Sequence, residues 1–107
     1  MNITFTFRNL PSSEGVKNYA SEKIARFQKY LRSPLEATVV ASLERHLQCV
    51  DVTIVAGKKR FEAKEESPDM YASLDLVMDK LDRQLKRDKS TQTTRKRGAT
   101  ATSRAKQ

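Results

Sequence analysis

Ser67–Lys89 reads SPDMYASLDLVMDKLDRQLKRDK, and steps of about 100° per residue sort it into faces. Met70, Tyr71, Leu74, Val77, Met78, Leu81 and Leu85 share one apolar stripe. Asp75, Asp79 and Asp82 line one flank, while Lys80, Arg83 and Arg87 line the other side around Leu76. The helix so predicted has readable ends. Ser67 is a good N-cap, Pro68 suits the first helical position and Asp69 complements the positive N-terminus. Lys86, Arg87 and Lys89 occupy the last turns, where the helix dipole favours cations. A helix with one apolar stripe needs a second layer to bury it, and that layer must come from residues upstream.

Upstream, the hydrophobic period changes from helical to alternating. Ile3, Phe5 and Phe7 alternate with Thr4, Thr6 and Arg8, the pattern of a strand with one buried face. Pro11 breaks it, and Ser12 or Ser13 caps a helix running to about Leu31, with Val16, Tyr19, Ala20, Ile24, Phe27, Tyr30 and Leu31 as its stripe. Ser33-Pro34 ends that helix, since the residue before proline avoids helical geometry. Three strands follow, marked by Ala37/Val39/Ala41/Leu43, by Val50/Val52/Ile54 and by Phe61/Ala63 within Arg60–Glu65. Their connections, roughly Arg45–Gln48 and Gly57–Lys58, suit hairpins. The predicted class is therefore α+β in the order β-α-β-β-β-α. A helix between the first two strands favours a parallel crossover, and both helices pack on one face of a four-stranded sheet.

One domain is all that 107 residues support. The net charge of +8 is unevenly held: Arg95, Lys96, Arg97, Arg104 and Lys106 stand in a tail, 90–107, that contains no acid. That tail has no apolar residue larger than alanine, so it is expected to be a disordered basic arm beside a folded unit at 1–89. A single cysteine, Cys49, rules out an intramolecular disulfide and fits a reducing compartment. No apolar run approaches a membrane span, and MNITFTFRNL lacks the continuous apolar core of a signal peptide, so a cytoplasmic chain is expected.

Catalytic and metal chemistry find few residues to use. His46 is the sole histidine and stands in a turn, either as an exposed residue or as an RNA contact beside Arg45. Cys49, at an edge or outward strand position, has no evident histidine partner, and zinc needs more thiolate and imidazole ligands than the chain owns. Gly15, Gly57 and Gly98 are too far apart to cradle a phosphate. The Asp75/Asp79/Asp82 stripe reads as a solvated flank. No enzyme activity, cofactor, metal or small-molecule substrate is expected.

Cations remain. Lys23 lies inside the first helix's apolar stripe, where its stem covers the core or its ammonium aims at phosphate. Lys58, Lys59 and Arg60 cluster at a hairpin, able with Arg45 and the Lys80/Arg83/Arg87 ridge to frame a groove for a nucleic-acid backbone. Arg26, Lys29 and Arg32 read as general solvated charge. Stacking aromatics are absent from the sheet face, and Phe5, Phe7 and Phe61 are better placed as core, which favours structured RNA bound by shape and phosphate.

The segment also resembles a known signature. Asp69-Met70-Tyr71, Asp75, Asp79-Lys80-Leu81, Arg83-Gln84-Leu85 and Lys86-Arg87, with the upstream KNYASEKIARFQKY helix, are similar to the ribosome hibernation promoting factor family. The resemblance covers 1–89. It implies a translation inhibitor, monomeric off the ribosome, that occupies the decoding region of the small ribosomal subunit and blocks messenger and transfer RNA in stress or stationary phase. By position it implies ribosomal RNA contacts at Lys23, Lys80, Arg83, Lys86 and Arg87, with Arg45, His46 and Lys89 as weaker candidates. A generic binder of double-stranded or structured RNA is the alternative.

Overall fold

A computed structural model describes the backbone of residues 1–93 and the side chains up to Asp88. The elements are β1 (Asn2–Arg8), α1 (Glu14–Phe27), β2 (Leu35–Glu44), β3 (Leu47–Ala56), β4 (Lys59–Ser67) and α2 (Met70–Thr93), with a 3₁₀ turn at Gln28–Tyr30. The expected β-α-β-β-β-α order holds. The sheet runs β1-β2-β3-β4, with β1 parallel to β2 and both remaining pairs antiparallel. Pairing of Glu44 with Leu47 and of Ala56 with Lys59 leaves two-residue loops, Arg45-His46 and Gly57-Lys58. The first is thus shorter than the Arg45–Gln48 connection expected.

One face of the sheet builds the core. Ala37, Val39 and Ala41 of β2, Val50, Val52 and Ile54 of β3, and Phe61 and Ala63 of β4 pack there against Val16, Ala20, Ile24 and Phe27 of α1. From α2 come Met70, Leu74, Val77, Met78, Leu81 and Leu85, all buried. Tyr71 is the exception in the expected stripe, being 41% exposed at its edge. The edge strand β1 is covered less well, and Ile3, Phe5 and Phe7 are only half-buried. Cys49 lies on the opposite face, between Ser42 and Glu66 in register, yet it is buried. Of the two expected positions, edge and outward, it takes the outward one on an inner strand, and it is covered there.

Helix ends follow local chemistry that differs in detail from the expected one. Ser13 caps α1, its hydroxyl accepting the Val16 N–H at 3.2 Å. The α-helical part stops at Phe27 and tightens into the 3₁₀ turn before reaching Leu31. In α2 the capping oxygen belongs to Asp69, which accepts the Ala72 N–H at 2.9 Å, and not to Ser67. Ser67 closes β4 and instead binds Ser73 Oγ at 2.8 Å. Ser73 is fully buried and donates to the Gln48 carbonyl at 2.6 Å, so a polar group missed in the apolar stripe anchors α2 to β3. At its far end α2 runs to Thr93, past Lys89; beyond Thr93 the basic tail lies outside the described residues.

Strand directions give the molecule two poles. β1, β2 and β4 run one way, and α1 and α2 both return the other way. Both helix N-termini therefore share one pole with the Arg45-His46 hairpin. Both C-terminal ends share the other pole with the Gly57-Lys58 hairpin.

Candidate nucleic-acid interface

The seam between α1 and α2 explains the acidic flank. Tyr19 Oη donates to Asp75 Oδ1 at 2.6 Å, and Lys23 Nζ lies 3.7 Å from the same oxygen. Lys23 also sits 4.9 Å from the centroid of the Tyr19 ring, which meets Tyr71 edge-on at 5.1 Å. Lys23 thus satisfies neither expectation alone: its stem is half-covered and its ammonium is held by an aromatic face and a carboxylate. Further along the seam, Asp79 and Asp82 share a shallow groove with Lys23 and Arg26. The aspartates of α2 answer the cations of α1.

The Tyr19–Asp75 bond has a measurable consequence. The carboxylate that accepts the phenolic proton raises the Tyr19 pKa above its ordinary value near 10, with burial and the Asp75 charge adding to the shift. A raised folded-state pKa contributes stability that is complete below about pH 10 and lost as pH rises through the folded value. In a spectrophotometric titration, the phenolate step missing from Tyr19→Phe identifies Tyr19. That step is expected to move to lower pH in Asp75→Asn, and an unmoved step would show that the bond does not form.

The opposite flank of α2 grips the sheet edge. Lys80 pairs with Glu65 and Lys59 with Asp88, while Gln84 Nε2 donates to the Glu62 carbonyl at 2.8 Å. Lys80, expected on a ridge open to phosphate, is exposed there and also ties α2 to β4. Lys86 pairs with Asp82 one turn back at 3.1 Å. Arg83 and Arg87 are exposed, and neither joins a salt bridge among the described residues. The side chain of Lys89 lies outside those described.

The expected contact residues thus fall in three places. Arg83, Lys86 and Arg87 gather at the C-terminal pole, Lys23 occupies the seam, and Arg45 and His46 stand at the other pole. Sixteen or so residues of helix separate the ends, about 24 Å at 1.5 Å per residue. Arg45 takes φ of 60°, a left-handed conformation costing a non-glycine residue about 1 kcal/mol, which its two-residue loop imposes.

Other cations complete the C-terminal pole. Arg26 and Lys29 come from the end of α1 and its 3₁₀ turn, while Arg32 and Lys58 line a common cavity. Arg26, Lys29 and Arg32 had read as scattered charge. Strand direction was the signal that could have placed them, since it sends both basic helix ends to one pole. Among the described residues, no group of three or more His, Cys, Asp or Glu could hold a metal ion. No helix among them is long and apolar enough to cross a membrane.

Fold and surface together define a small α+β domain whose exposed chemistry is cationic and concentrated where two parallel helices end. The profile of the family described as "Sigma 54 modulation protein / S30EA ribosomal protein" matches residues 3–93. The chain belongs to this family, that of the ribosome hibernation promoting factors. It is 31% identical over 98 residues to the ribosome hibernation promoting factor of Azotobacter vinelandii, covering 92% of each chain. It is 30% identical over 105 residues to the ribosome hibernation promotion factor of Lactococcus lactis, covering 94% of this chain and 57% of that longer one. The crystal structure of the Thermus thermophilus Protein Y N-terminal domain superposes with a TM-score of 0.75 at 29% identity, over 82% of this chain and 99% of that one.

Proposed function

We propose that this chain is a non-enzymatic translation inhibitor that binds ribosomal RNA in the decoding region of the small ribosomal subunit. There it excludes messenger and transfer RNA by overlap, silencing cytoplasmic ribosomes in stress or stationary phase. The binding unit is residues 1–89, acting as a monomer off the ribosome. The reading is carried by Arg83 and Arg87, two exposed guanidinium groups on one helix with no salt-bridge partner among the described residues, in a family named for ribosome hibernation. Guanidinium forks suit phosphate recognition, and the cations of α1 and the β3–β4 hairpin extend the same field. Lys86 contributes from its pair with Asp82, and Lys23 by exchanging Asp75 for phosphate. Arg45, His46 and Lys89 are secondary contacts.

Cosedimentation separates this reading from a generic binder of structured RNA. The chain is expected to pellet with purified small subunits and to be displaced from them by messenger and transfer RNA, while long duplex RNA competes poorly. Binding is expected to weaken steeply with salt, as counterions return to the vacated phosphates. Equal affinity for any long duplex would overturn the decoding-region reading.

A further inference from the structure

The C-terminal pole holds a cavity of about 530 Å³ whose walls include Tyr30, Arg32, Ser33, Lys58 and Lys59. The backbone of one wall is braced by a single side chain. The Gln28 side-chain amide donates to the carbonyls of Leu31 at 3.3 Å and Ser33 at 2.9 Å, and its oxygen accepts the Leu35 N–H at 2.8 Å. One side chain thus pins the whole loop after α1. Across the cavity Gly57 has φ of 62°, and a Cβ there would stand 2.8 Å from Ser33 Oγ. Glycine at 57 takes the left-handed turn without strain and lets the β3–β4 hairpin approach that loop closely.

The groups that line this cavity are of two kinds. Tyr30 is 41% exposed, and among the described residues no other ring or cation engages its ring. Arg32 and Lys58 have no salt-bridge partner among the described residues, whereas Lys59 is held by Asp88. An open aromatic face beside two unpaired cations matches a base joined to a phosphate better than it matches either alone.

We propose that this pocket receives one unstacked nucleotide of structured RNA, its base on the Tyr30 ring and its phosphate between Arg32 and Lys58. The inference rests on the ribosome-binding reading and names a subsite within it. An RNA residue fits better than a soluble nucleotide because the cationic surface continues past the pocket. Lys29 of the 3₁₀ turn and Lys86 and Arg87 of α2 stand at the same pole, so a strand leaving the pocket on that side meets further cations. In the groove on the other side of Tyr30, by contrast, Lys23 and Arg26 are matched by Asp79 and Asp82.

The test measures affinity of the full chain for purified small subunits across a salt series. Wild type, Tyr30→Ala, Tyr30→Phe and Arg32→Ala with Lys58→Ala are compared, with melting curves to establish that each folds. Tyr30→Ala is expected to bind about tenfold more weakly with an unchanged salt slope, because stacking releases no counterion. Tyr30→Phe is expected to match wild type. The double alanine variant is expected to lower the slope by about one to two. A folded Tyr30→Ala that binds as wild type overturns the subsite. Failure of wild type itself to bind would instead overturn the ribosome reading. Adenosine 5′-monophosphate alone, followed by the Tyr30 ring resonances, is expected to bind only at millimolar concentration. Micromolar saturation, with Tyr30→Ala still wild-type on subunits, would assign the pocket to a soluble nucleotide and overturn the RNA assignment.

Discussion

Arg83→Glu combined with Arg87→Glu is expected to lower affinity for small ribosomal subunits by about a hundredfold or more while leaving the melting temperature nearly unchanged. Each reversal replaces an attraction to phosphate with a repulsion, and like charges brought together in an interface cost several kcal/mol. Both side chains are exposed and neither has a salt-bridge partner among the described residues, so folding loses almost nothing with them. Lys80 is deliberately kept. A glutamate at that position would face Glu65 across the α2–β4 contact, and lost binding would then be confounded with a loosened helix. Cosedimentation at two salt concentrations, beside a thermal melt, reads both quantities. Binding retained by a folded double variant would remove the carrying observation of the proposed function.

Leu81→Ala tests the other half of the design, the platform beneath those arginines. Leu81 is 1% exposed and lies in the buried stripe with Val77, Met78 and Leu85. Truncating such a leucine removes its transfer free energy and leaves a cavity, together costing about 2–5 kcal/mol. For a domain of this size that corresponds to a fall in melting temperature of roughly 10–25 °C. Urea denaturation is expected to show a lower midpoint with a similar slope. A shift under 1 kcal/mol would mean that α2 does not close the core as described. Comparison of the two variants separates affinity lost through charge from affinity lost through fold.

Much of this architecture was legible because periodicity reports burial directly. The stripe of Ser67–Lys89 placed Leu74, Val77, Leu81 and Leu85 in the core, and the alternation of Ala37, Val39 and Ala41 gave the buried face of β2. What periodicity cannot report is which neighbour a polar side chain meets. Ser73 drew no reading from periodicity, yet it is buried and meets the Gln48 carbonyl. Asp75 looked solvated until α1 brought Tyr19 and Lys23 to it from more than fifty residues away in sequence. Lys80 looked available because Glu65 sits on a different element. Arg83 and Arg87 were read correctly as exposed, since exposure needs only the face of one helix. The clustering of Arg26, Arg32 and Lys58 required strand direction, a property of the whole sheet.

The two-pole arrangement has a kinetic meaning. Arg26, Lys29, Arg32, Lys58, Lys86 and Arg87 all belong to the pole where the helices end, so the centre of positive charge is displaced from the centre of mass. In the field of a large polyanion such a body experiences a torque before it experiences contact. It arrives already turned, with the ends of α1 and α2 leading. Ionic strength then governs how often an encounter starts in a productive orientation, more than how long a finished complex lasts.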